Sequence, residues 1–83
     1  MSPETILERI GPILRATFQD PNLKIDLHLT MDDVPAWDSI GHMTLIAAVE
    51  QEFRFQCSLE ELVHVRSIGD LVNLVADKSP DGS

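Results

Sequence analysis

Among the side chains able to do chemistry in this sequence, one serine stands apart. Ser39, in Asp38-Ser39-Ile40, sits where an unbroken helical pattern begins, so its hydroxyl lies near unpaired backbone amides and the positive end of a helix dipole. An attached phosphate is electrostatically favoured there. On spacing alone the same position reads as a helix cap. The other reactive groups assemble into nothing catalytic. Cys57 follows Phe53 by one helical turn and has neither a neighbouring base nor a Cys-x-x-Cys setting, so it reads as a small buried apolar residue. His28, His42, His64 and Cys57 lack the close pair spacing of a zinc site. Residues 26–38 lack the central glycine and terminal glutamate of a calcium loop. No metal is expected. No carboxylate pair, Ser-His-Asp set or glycine-rich phosphate loop can be argued, and 83 residues leave little room for an enclosed active site. The expectation is a protein that binds and does not catalyse.

Eighty-three residues support one core, hence one domain over 1–83. With 43% hydrophobic and 24% charged residues the chain has the composition of a compact fold. Six Lys and Arg against fourteen Asp and Glu give a net charge of -8, which repels phosphate backbones and disfavours nucleic acid as a partner. Residues 26–61 hold eight of the acids and one base, Arg54, and so carry -7 of that charge. This is either a solvated face or a patch that steers a basic partner. No apolar stretch is long enough to span a bilayer, and the start MSPETILERIG lacks a basic segment followed by an apolar run. Membrane insertion and secretion are not expected. The lone Cys57 has no disulfide partner, which fits a reducing cytoplasm. A monomer is expected.

The elements that must position Ser39 are helices. Ser2, Pro3 and Glu4 form a helix start. Ile6, Leu7, Ile10, Ile13, Leu14 and Phe18 then make one stripe of a first helix reaching Phe18 or Gln19. Gly11-Pro12 predicts a kink or a break into two pieces. Residues 20–38 contain Pro21 and Pro35 and no sustained helical period, and read as a long ordered loop. Its Leu23, Ile25, Leu27 and Leu29 have no second strand to pair with and are expected to pack onto the helices. The second helix starts at Asp38 and Ser39 and runs through Arg54. Ser58-Leu59-Glu60-Glu61 and Ser67-Ile68-Gly69-Asp70 announce two shorter helices. Leu59, Leu62 and Val63 are expected inward from the third, and Ile68, Leu71, Val72, Leu74 and Val75 inward from the fourth. Residues 1–2 and 78–83 are expected to fray. The fold class is therefore all-α: a four-helix bundle with a long loop between the first and second helices and a short third helix.

The second helix has two apolar faces. His42, Leu45, Ile46, Val49 and Phe53 share the sector that must face the core. Ile40, Met43 and Ala47 fall on another, flanked by Thr44, Glu50 and Gln51. This second strip packs either beneath the loop or third helix, or against another protein. Trp37, just before the serine, packs over the core or meets an incoming partner.

Asp38-Ser39-Ile40 with the helix that follows, Gly41-His42-Met43-Thr44-Leu45-Ile46-Ala47-Ala48-Val49-Glu50-Gln51-Glu52-Phe53, resembles the Asp-Ser-Leu motif and motif helix of acyl carrier proteins. The resemblance covers nearly the whole chain, through the last helix introduced by Arg66-Ser67-Ile68-Gly69-Asp70-Leu71. It implies a 4′-phosphopantetheine arm on Ser39, next to the motif residue Asp38. A phosphopantetheinyl transferase using coenzyme A and magnesium would attach it. It also implies partner enzymes that load and use an acyl thioester, with basic surfaces meeting a docking face of Trp37, Ile40, Met43, Ala47 and Glu50. Gly41 and Thr44 stand where the best-known fatty-acid carriers tend to have acids, which points to a specialised lipid, polyketide or acyl-transfer pathway. Pro35-Ala36-Trp37 replaces the Gly-Gly common before the serine of peptidyl carriers. Peptidyl and D-alanyl carriers, and an unmodified acidic helical adaptor in which Ser39 is only a cap, are the alternatives.

Overall fold

A computed structural model describes residues 2–78. Four α-helices follow in order: α1 Pro3–Thr17, α2 Ser39–Phe53, α3 Leu59–His64 and α4 Ile68–Lys78. A short 3-10 turn, Met31–Asp33, interrupts the loop between α1 and α2.

α1 begins where the Ser2 side chain accepts the Thr5 N–H at 3.2 Å. It runs unbroken through Pro12, so the expected break into two pieces is not found. Proline at this position leaves the Glu8 carbonyl without its helical donor. Glu8 and Pro12 both face solvent, where water satisfies that carbonyl, and the helix survives. Its other side buries Ile6, Ile10 and Leu14 against α2 and α4, α2 contributing Leu45, Ile46, Val49 and Phe53 and α4 contributing Ile68, Leu71, Val72 and Val75. Leu74 is half-buried at the edge. α2 ends on Arg54, whose φ of 58° is left-handed, a common helix stop. Among the described residues no helix is long and apolar enough to cross a membrane.

Two parts of the expected packing are corrected. Leu59 and Val63 do not point inward from α3; they are 75% and 53% exposed. Four residues apart, they share one side of a six-residue helix, and its other side offers only Leu62, which is partly buried. The core beneath α3 is filled by residues flanking it, Phe55 and Val65. In the long loop, Leu23, Ile25 and Leu29 pack against the core as expected, whereas Leu27 stays 44% exposed. The loop is not unpaired either. Thr30 forms an isolated antiparallel bridge with Ser67. The Met31 N–H donates to the Arg66 carbonyl at 3.2 Å and the Ile68 N–H to the Leu29 carbonyl at 2.9 Å. The α3–α4 linker thus supplies the partner that a search for hydrophobic alternation does not reveal.

At the chain ends, Ser2 caps α1. Lys78, the last residue of α4, pairs with Glu61 of α3 at 2.7 Å. That lysine's hydrogen bond is the main reason the Glu61 carboxyl lies below its ordinary range. Met1 and 79–83, the rest of the expected frayed ends, lie outside the described residues.

Candidate functional site at the start of helix α2

The site is built by residues 36–42. Asp38, not Ser39, is the N-cap of α2: its Oδ1 accepts the Gly41 N–H at 2.8 Å, and its carbonyl accepts the His42 N–H at 2.7 Å. Ser39 is therefore the first helical residue. It is exposed, and among the described residues no hydrogen bond engages its hydroxyl. The capping duty that would explain a serine here is already performed by its neighbour.

Trp37 anchors the segment from below. It is 2% exposed, and its indole Nε1–H donates to His42 Nδ1 at 2.9 Å. An indole N–H can only donate, so Nδ1 is the acceptor and the neutral imidazole carries its proton on Nε2. His42 Nε2–H in turn donates to the Leu62 carbonyl at 2.9 Å. One chain of hydrogen bonds, buried between Trp37 and His42 and part-buried between His42 and Leu62, thus joins the loop before Ser39, helix α2 and helix α3. Phe18 at the end of α1 flanks the indole, with ring centroids 5.9 Å apart. Trp37 is accordingly removed from the expected docking face: it is a core residue, drawn inward by its partner on α2. Pointing Trp37 in helps leave Ser39, two residues on, pointing out.

Gly41 is explained by the same packing. A Cβ built there would lie 2.3 Å from the Ala36 carbonyl oxygen, so the loop backbone fills the space of any side chain. Gly41→Ala should destabilise the domain by about 1–3 kcal/mol, as overpacking does. Urea melts would measure the loss, and an unchanged midpoint would contradict the close approach.

Ile40 and Met43 are 77% and 61% exposed, and Ala47 is exposed beside them. The second strip of α2 is open to solvent and not covered by the loop or α3. It also continues across to α3, where Leu59 and Val63 are exposed. Between the helices lies a cleft of about 410 Å³ whose lining includes Ser39, Met43, Leu59, Leu62, Val63 and Arg66. Glu50 behaves differently from the rest of the expected face. It is half-buried, and its Oε2 accepts the Cys57 N–H at 2.8 Å, fastening the α2–α3 connection. The acidic stretch is similarly occupied. Six of its eight carboxylates accept hydrogen bonds from backbone N–H groups, Arg9 or Lys78, leaving Asp32 and Glu60. Burial, then Glu50, pushes the Cys57 thiol up from its ordinary value, so it is no activated nucleophile.

Such a site, an unbonded hydroxyl on the first residue of a helix with a rigid bundle behind it, fits a phosphate-linked group. The hydroxyl is reachable, and the adjacent helix start favours negative charge. The arrangement defines a small helical carrier domain. Residues 4–75 match the family model described as the phosphopantetheine attachment site, and the chain belongs to the acyl carrier protein family. Acyl carrier protein of Caulobacter vibrioides is 29% identical over 75 residues, covering 89% of this chain and 95% of that protein. The solution structure of holo acyl carrier protein from Geobacter metallireducens superposes with a TM-score of 0.80 at 35% identity, covering 87% of this chain and 83% of that one. The prosthetic group of the family is phosphopantetheine.

Proposed function

We propose that Ser39 Oγ is the attachment point of 4′-phosphopantetheine and that the protein carries acyl groups as thioesters on the arm's thiol. The observation that carries this reading is the division of labour at the helix start: Asp38 caps, and the exposed Ser39 hydroxyl is left unbonded. A phosphopantetheinyl transferase, with coenzyme A and magnesium, would make the phosphodiester. Ser39 Oγ would form a bond to the pantetheine-bearing phosphorus of the coenzyme A diphosphate, the P–O bond to the nucleotide would break so that 3′,5′-ADP leaves, and the serine proton would pass to a base or to water. When bound, the arm would supply an accessible thiol on a long tether, whereas the chain's own Cys57 is partly buried and its thiol is pushed up from its ordinary value by burial and Glu50. The bundle itself catalyses nothing. It holds the serine rigidly outward, and tethering gives the cargo a high effective concentration at each docked enzyme. Incubating the purified protein with coenzyme A, magnesium and a broad-specificity phosphopantetheinyl transferase should add the mass of one arm. An unmodified adaptor adds none.

Partner enzymes, in this reading, meet the start of α2 and the exposed strip of Ile40, Met43 and Ala47, extended by Leu59 and Val63 of α3. The net charge of -8 supports basic surfaces on those partners, while the strip supports an apolar patch at the centre of contact. Gly41 and Thr44 in place of acids support a specialised lipid, polyketide or acyl-transfer pathway over general fatty-acid synthesis. The acyl carrier relatives favour an acyl cargo over a peptidyl or D-alanyl one. We place the protein in the cytoplasm as a monomer, a setting supported by its single, partly buried thiol.

Met43 tests the docking face cleanly because it is exposed and holds nothing in place. Met43→Glu should lower kcat/KM for arm attachment about tenfold, equivalent to about 1.4 kcal/mol, with the helical circular dichroism signal near wild type. An unchanged kcat/KM would remove Met43 from the contact. Glu50 is unsuited to this test, since its replacement also frees the Cys57 amide.

A further inference from the structure

We propose that Arg66 is a positioning residue for the arm, pairing its guanidinium with the phosphodiester on Ser39. The inference rests on the Ser39 assignment above. Arg66 lies between α3 and α4, far from Ser39 in sequence, yet both line the cleft between α2 and α3. Among the described residues it is the one Lys or Arg in that lining, and the rest of the lining, His42 and Ser39 aside, is Met, Leu and Val.

The state of its side chain is the informative part. Arg66 belongs to a protein of net charge -8, where arginines commonly find carboxylates, and Arg9 does so with Glu52 at 2.7 Å. Arg66 is exposed, and among the described residues its guanidinium makes no ion pair or hydrogen bond. Its backbone, by contrast, is held at both ends: the N–H donates to Asp70 Oδ2 at 3.1 Å, and the carbonyl accepts the Met31 N–H at 3.2 Å. A fixed backbone thus carries an exposed, uncommitted cation in the lining of the cleft that Ser39 also lines. A phosphodiester is a permanent anion at neutral pH, and a guanidinium offers a planar fork of donors that matches phosphate oxygens better than an ammonium does. The helix start at Ser39 supplies only partial charge; Arg66, in the lining of the same cleft, supplies a whole one. Held between them, the first bonds of the arm would be oriented over the cleft while the thiol end stays free to reach partners.

The test follows the Arg66 Nε–Hε resonance by ¹⁵N–¹H NMR in the unmodified and arm-loaded protein, with loading verified by intact mass. On loading, the Arg66 resonance should shift and that of Arg54, at the far end of α2, should not. The shift should shrink between about 0.1 M and about 1 M salt, where the screening length falls from about 10 Å to about 3 Å. The ³¹P resonance of loaded Arg66→Gln should be displaced from wild type, with Arg66→Lys closer to it. A loaded protein whose Arg66 resonance is unmoved, or whose ³¹P resonance ignores Arg66→Gln, overturns the pairing while leaving the Ser39 assignment intact. A chain that takes up no arm overturns both.

Discussion

Trp37→Ala should cost about 3–5 kcal/mol, the usual loss for removing a large buried aromatic, and so consume much of the roughly 5–15 kcal/mol that holds a small domain folded. The indole is 2% exposed and touches three elements at once: Phe18 after α1, His42 on α2 and, through His42, the Leu62 carbonyl on α3. Trp37→Phe separates bulk from bonding. It keeps an aromatic ring but leaves His42 Nδ1 buried without a donor, which costs about 1–3 kcal/mol. Urea denaturation followed by circular dichroism measures both. A loss under 1 kcal/mol for the alanine variant would show that the loop before Ser39 is not pinned in this way.

Ser39→Ala should do the reverse: abolish uptake of the arm and leave stability within about 0.5 kcal/mol of wild type, as for other exposed residues without a structural partner. Asp38→Ala should cost about 1 kcal/mol, the usual value of an N-cap. The pair of variants distinguishes attachment from capping without reference to any partner enzyme. If Ser39 were the cap, the two stability losses would exchange places, with Ser39→Ala the damaging change. The same melts would register it.

The helices of this bundle were legible because their signals are local. Ser2 before Pro3, Ser58 before Glu61 and the four-residue spacing of Ile6, Ile10 and Leu14 each specify structure within one or two turns. The core face of α2, His42 included, was equally visible from periodicity. A polar residue on that face is a sign that something must pair with it, yet the partners, Trp37 and the Leu62 carbonyl, are chosen by tertiary packing. Leu59 and Val63 face out where apolar type suggests in, because a six-residue helix is too short for its period to say which side is buried. The bridge from Thr30 to Ser67 leaves no sequence signal, because one residue pair carries no alternating pattern. The Ala36 carbonyl that occupies the side-chain space of Gly41 belongs to a close approach of loop and helix that residue types alone do not show. At the site itself, Asp38 and Ser39 were recognisable as a motif, but which of them caps the helix and which is left unbonded depends on a single hydrogen bond at 2.8 Å.

Fragment mass spectrometry of the arm-loaded protein addresses the attachment point directly. Trypsin should release residues 25–54 as one peptide, whose hydroxyl side chains are Thr30, Ser39 and Thr44. Thr30 Oγ1 donates to Asp33 Oδ2 at 3.1 Å and Thr44 Oγ1 to the Ile40 carbonyl at 3.0 Å, whereas Ser39 is unengaged. The fragment series should place the whole added mass on Ser39. Added mass on either threonine, or on a peptide other than 25–54, would contradict the assignment.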